Sequence, residues 1–210
     1  MGKEALVVER KTLFRGNEFQ GFLDFKERDI ISIILSNHSY HSRGDGLENN
    51  SSLKQIIPYV WIVNPEKREV FLYKRTPSKN SEYREVRYLD MYSGGVGGHI
   101  DRDTEEGSKD PIEKAMMREL REEVIMQSYP KPKLLGYLND DSNSLGSVHF
   151  GIVAVAETTN EVKAEKSEGL NSGAFYTIKE LDKIFSDKNN EIENWTKISW
   201  PFVKSYLESL

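Results

Sequence analysis

The chain has 210 residues, a formal charge of −5 from 29 Lys and Arg against 34 Asp and Glu, 37% apolar residues and no cysteine. The missing cysteine excludes a disulfide scaffold, a thiolate zinc or iron–sulfur centre and a cysteine nucleophile; the apolar and aromatic content excludes global disorder. The mild acidity argues against a broad nucleic-acid-binding face, and no run approaches the roughly 20 apolar residues that span a bilayer. The expectation is a soluble, cytoplasmic protein whose partner is a small molecule, with no membrane and no nucleic-acid polymer.

In chain order, Ala5–Phe14 alternates and reads as a strand, and Asp29–Asn37 reads as a short buried helix. His38–Leu53 is polar and glycine-bearing, hence a loop and the one internal boundary, which divides the chain into a 1–55 extension and a 56–210 core. Ile56–Val63 and Glu69–Arg75 are β-branched and aromatic runs joined by Asn64-Pro65-Glu66-Lys67, a hairpin pattern. Arg84–Tyr92 is a polar approach to Gly94-Gly95-Val96-Gly97-Gly98, and Asp110–Met126 is helical. Leu134–Leu138, Val148–Ala156 and Phe175–Ile178 read as strands, Lys179–Phe185 as a helix, and Pro201–Leu210 as a closing helix with proline in its first turn. Strands and helices without regular alternation predict an α+β fold, a mixed β-sheet sandwiched between α-helices.

Charge is concentrated in one place. Nine acids and five bases fall between Asp101 and Glu123, so this segment holds most of the acidic excess. Asp110-Pro111-Ile112-Glu113 carries an N-cap, a first-turn proline and an acid at N3. At about 100° per residue, Ile112, Met116, Leu120 and Val124 form an apolar stripe. Glu119, Glu122 and Glu123 share an arc of about 100° overlapping its edge. Like charges at these spacings repel, and a hard divalent cation with oxygen ligands relieves the repulsion. Four glycines in five positions just upstream let backbone approach a ligand closely.

Gly97-Gly98-His99-Ile100 followed by Arg118-Glu119-Leu120-Arg121-Glu122-Glu123 resembles the Nudix box, in which a glycine-led loop precedes a helix reading Arg-Glu-aliphatic-x-Glu-Glu. Asp110 stands where the family has an earlier Glu, Thr104 where it has its leading Gly, and Ile125 where it has a Gly near the helix end. The glycines lie about six positions further upstream, which implies an insertion within Ile100–Lys109. Ile57-Pro58-Tyr59, Gly94–Ile100 and Val148–Gly151 also resemble a branch of predicted phosphoesterases in this MutT-like superfamily that carries an N-terminal extension. The resemblance covers roughly residues 56–210; residues 1–55 then read as an added flank or a dimerisation element, compatible with a homodimer.

The resemblance implies a metal-dependent pyrophosphohydrolase that cleaves a nucleoside diphosphate linked to another moiety, or a related phosphoanhydride. Glu119, Glu122 and Glu123 would bind Mg²⁺ or Mn²⁺, with the Gly97 carbonyl as a further ligand and Arg118 orienting the glutamates. Candidate bases are Glu119, Glu165 and Glu168. Arg75, Arg84, His99 and His149 are the candidate substrate contacts, because guanidinium and imidazole groups suit phosphate. Trp61, Trp195 and Trp200 read as core. Two alternatives stand beside this: a non-catalytic sensor of nucleotide-like ligands, and a prenyl-diphosphate isomerase, against which the absence of cysteine counts.

Overall fold

A computed structural model describes residues 3–75, 90–166 and 170–210. The fold is α+β and forms two compact units that do not follow chain order. One comprises Met1–Tyr59, Gly98–Met116 and Leu134–Ala154; the other comprises Val60–Gly97, Met117–Lys133 and Val155–Leu210.

In the first unit, β1 (Glu4–Glu9) runs antiparallel to β3 (Ser39–Ser42) and to the start of β4 (Leu53–Asn64), with Val7 opposite Gln55. β2 (Gly21–Asp24) pairs with β9 (Lys133–Asn139), Phe22 opposite Leu138. The strand expected over Ala5–Phe14 stops at Glu9. The chain turns there into the short helix α1 (Arg10–Phe14), which buries Leu13 and Phe14 and closes with Arg15 in the left-handed region at φ 50°. Phe14, Phe19 and Phe150 meet edge to face with centroids 5.8–6.1 Å apart. Helix α2 (Ile30–Asn37) is capped by Asp29, whose carboxylate accepts the Ser32 amide at 3.0 Å. The loop expected over His38–Leu53 instead contains β3 and the single-turn α3 (Asp45–Glu48), anchored by Leu47 against Ala5, Val7 and Leu53. The segment after Ile100, where the resemblance implies an insertion, holds another single turn, α4 (Arg102–Glu105), whose fully buried Glu105 accepts from the Asp101 amide and the Thr104 hydroxyl.

In the second unit, β4 continues into the hairpin with β5 (Glu69–Arg75), Val63 opposite Val70. Asn64 closes the turn by accepting the Glu66 and Lys67 amides at 3.1 Å each. The short strands β6 (Tyr92–Ser93) and β7 (Gly95–Val96) lie on β5 and β4, and β12 (Leu170–Thr177) covers the other edge of β5. Helix α6 (Ile178–Ser186) begins with a full capping box from Thr177 and Glu180.

Helix α5 (Pro111–Glu123) is shorter than expected. Val124 is buried, Ile125 is 53% exposed and Met126 is buried, an alternation that belongs to a strand, and β8 (Val124–Met126) pairs with β11 (Val162–Ala164). The strand β10 (His149–Glu157) follows a 3-10 turn at Gly146–Val148. The closing helix α7 (Asn194–Glu208) starts seven residues before Pro201, so the proline is interior, on an exposed face where water can reach the carbonyl it leaves unbonded. Trp61 and Trp200 are buried with ring centroids 6.1 Å apart, while Trp195 is half-buried. No helix among the described residues is long and apolar enough to cross a membrane.

Candidate active site

Four of the expected residues sit on the last two turns of α5, within the second unit. Asp110 starts the helix by accepting the Glu113 amide at 2.9 Å. Leu120 is fully buried, and the arc beside it carries Glu119 and Glu123, only 7% and 8% exposed, whereas the Glu122 side chain is half exposed. Removing carboxylates from water is costly without donors. Two donors are plain here. Arg118 Nη1 lies 2.7 Å from Glu119 Oε1 and 2.8 Å from Glu122 Oε2, one nitrogen holding both glutamates. The Gly97 amide donates to Glu123 Oε2 at 3.0 Å, so Gly97 enters this group through its N–H. β8 and β11 bring Glu165 to the same helix end, where its amide donates to the Glu123 carbonyl at 2.8 Å.

The glycine cluster is divided in role. A side chain at Gly94 would meet the ring of Trp61 at 2.2 Å, and its amide donates to Thr196 Oγ1 at 3.0 Å. The Gly95 carbonyl accepts the Tyr73 hydroxyl at 2.7 Å, and burial pushes that phenol well above its ordinary range. Gly94 therefore permits close packing on Trp61, and Gly95 anchors Tyr73 through its carbonyl, a correction to the expectation that the whole cluster serves ligand approach. Arg75 ends β5 with its guanidinium 5.5 Å from the Tyr73 ring centroid. Arg84 and Glu168 lie outside the described residues.

His99 and His149 belong to the first unit and are adjacent there, ring centroids 5.5 Å apart. His149 Nδ1 lies 2.7 Å from the Leu145 carbonyl, and His99 Nε2 lies 2.8 Å from Gln55 Oε1. The sequence reading missed Gln55 and its neighbour Lys54, both fully buried. Lys54 Nζ donates to Asp141 Oδ1 at 2.7 Å and to the carbonyls of Gly146 and His149 at 2.9 and 3.2 Å. Asp141 is held also by Arg10 and Gln20, each at 2.6 Å. A side chain at Gly146 would fall 1.8 Å from the Asp140 carbonyl oxygen, so only glycine lets this loop close on Lys54 and present His149. A Lys-Gln pair inside an otherwise apolar strand was the available signal.

No established protein-family profile matches the sequence. The protein YmaB of Bacillus subtilis (strain 168) is 32% identical over 218 residues, covering 99% of this chain and 98% of the relative. Among solved structures, Tm1382, described as a candidate Nudix hydrolase, superposes with a TM-score of 0.75 at 24% identity over 99% of this chain and 100% of that one. DR0079 from Deinococcus radiodurans gives 0.50 at 12% identity over 87% of this chain and 97% of that one.

Proposed function

The chain belongs to the family of the Bacillus subtilis protein YmaB and has the fold of the Nudix hydrolases, and on that premise we propose that it is a metal-dependent hydrolase of a phosphoanhydride, a nucleoside diphosphate linked to a further group or a close chemical relative. The observation that carries the reading is the Arg118–Glu119–Glu122–Glu123 group, drawn partly out of water on one helix end and tied to the Gly97 backbone.

The donor set suits a hard cation. Three carboxylates and nearby backbone carbonyls are oxygen ligands of the type Mg²⁺ and Mn²⁺ prefer. Glu119, Glu122 and Glu123 would hold the ion, with the Gly97 carbonyl as a further donor. When bound, such an ion neutralises phosphate charge and makes water a better nucleophile at neutral pH.

The protein's own groups do the positioning. Arg118 fixes the carboxylates of Glu119 and Glu122 relative to each other, and the Gly97 amide fixes Glu123. A carboxylate takes the proton from the attacking water as the oxygen–phosphorus bond forms and the bridging phosphorus–oxygen bond breaks, giving two phosphate-bearing products. Glu119 and Glu165 are the described candidates for that base, with Glu168 three residues after Glu165 in sequence, while Arg75 and Arg84 offer guanidiniums for the substrate's phosphates. Phosphoryl transfer depends mainly on such positioning and charge stabilisation.

The test is incubation of the full chain with Mg²⁺ or Mn²⁺ and a panel of nucleotide sugars, dinucleoside polyphosphates, nucleoside triphosphates and non-nucleoside pyrophosphates, with products identified by mass. Turnover of at least one class, abolished in Glu122→Gln, supports the reading. No product above the Glu122→Gln control across the panel overturns it, and ligand binding without turnover would point to a sensor.

A further inference from the structure

We infer that Glu48, His99 and His149 form a binding site for a borderline transition-metal dication of the Zn²⁺ type, with Gln55 as a fourth donor. The site uses none of the glutamates of α5, and its ligand chemistry is different. Among the described residues, this is the group of three whose ligand atoms all lie within 4.8 Å of one another.

The imidazole geometry fits a shared ion. His149 Nδ1 points at the Leu145 carbonyl at 2.7 Å, which places its proton on Nδ1 and leaves the Nε2 lone pair facing inward. His149 Nε2 and His99 Nε2 lie 3.4 Å apart. Two nitrogens each about 2.1 Å from one tetrahedral metal are separated by about 3.4 Å. Gln55 Oε1 lies 2.8 Å from His99 Nε2, a hydrogen-bond distance that would open to about 3.4 Å as both groups turn to one tetrahedral ion. Gln55 is fully buried, and its Nε2 has no hydrogen-bond partner among the described residues. A buried amide oriented through its oxygen alone, with its donors unused, is arranged as an oxygen ligand.

The ligands stand on fixed elements. Glu48 ends α3, whose Leu47 is packed against β1. His99 precedes Ile100, whose carbonyl accepts the Leu6 amide at 2.9 Å. His149 is held through its own carbonyl by Lys54. Two imidazoles with a carboxylate select Zn²⁺, Fe²⁺, Co²⁺ or Ni²⁺ over Mg²⁺ and Ca²⁺, which favour oxygen throughout.

Cobalt is the probe. The full chain, freed of any affinity tag and stripped of metal, is titrated with Co²⁺ while visible d–d absorption is recorded, and with Zn²⁺ by calorimetry. With millimolar Mg²⁺ present to occupy the glutamates of α5, the expected result is one equivalent of Co²⁺ bound and displaced by Zn²⁺. Replacing an outer partner of a metal ligand already costs 10–100-fold in affinity, so His99→Ala or His149→Ala should lose at least about 100-fold. The Glu119→Gln/Glu122→Gln/Glu123→Gln variant should keep the spectrum, which separates this site from the proposed hydrolytic one. Should a histidine variant fail to fold, Gln55→Leu and the Zn²⁺-dependent rise in melting temperature of the unaltered chain replace it. The inference is overturned if the unaltered chain binds neither ion, or if binding survives in the histidine variants.

Discussion

The buried Lys54–Asp141 pair makes an asymmetric prediction. The Lys54 side chain has no exposed surface and that of Asp141 is 20% exposed. Lys54→Met removes three hydrogen bonds from a charged donor, each worth roughly 1.5–3 kcal/mol. Part of that is returned, because a buried ammonium no longer has to be desolvated, at several kcal/mol. Asp141 also keeps Arg10 and Gln20. The net loss should be about 2–4 kcal/mol. Asp141→Asn does the opposite: it strands the ammonium without its anion and should cost more, about 3–5 kcal/mol. Equilibrium unfolding in urea measures both, with the midpoint moving and the slope unchanged. A Lys54→Met loss below about 1 kcal/mol, or one equal to or larger than that of Asp141→Asn, refutes the reasoning.

Other outcomes follow from single contacts. Gly94→Ala places a methyl 2.2 Å from the Trp61 ring and should destabilise by about 1–3 kcal/mol, read as a lowered melting temperature with altered tryptophan fluorescence. Thr177→Ala removes the capping box of α6 and should cost about 1 kcal/mol by urea unfolding. Burial opposes ionisation of Asp141, but hydrogen bonds from Arg10, Lys54 and Gln20 prevail and hold its carboxyl well below the usual range. A depressed carboxylate pKa contributes stability above its unfolded value of about 3.9 and loses it as pH falls further. Acid titration of stability should therefore show a loss below about pH 4 that Asp141→Asn reduces. Arg118→Ala should lower turnover of any identified substrate by at least about tenfold while leaving the fold intact by circular dichroism, since it separates Glu119 from Glu122.

Where the sequence carried a strong local period, it was readable. The hairpin Ile56–Arg75 and the capped start at Asp110 lie where turn and cap residues put them, and the helix read over Lys179–Phe185 runs from Ile178 to Ser186 behind a Thr177 cap that the reading did not name. The end of α5 was not readable, because Val124-Ile125-Met126 continues an apolar stripe equally well as helix or strand, and only pairing with Val162–Ala164 decides between them. Likewise, Gly94 and Gly98 are alike in sequence, and only the Trp61 ring shows why Gly94 must lack a side chain. The Glu48–His99–His149 group joins residues from three separate segments, a proximity that no spacing encodes.

The junction between Glu123 and Val124 has no spacer: one peptide bond separates the last carboxylate of α5 from the first buried residue of β8. Deleting or adding one residue there would turn β8 by about 100° relative to Glu123, or swap the outward Ile125 for an inward position by strand alternation. A length change at this junction therefore breaks the register of either the helix or the strand.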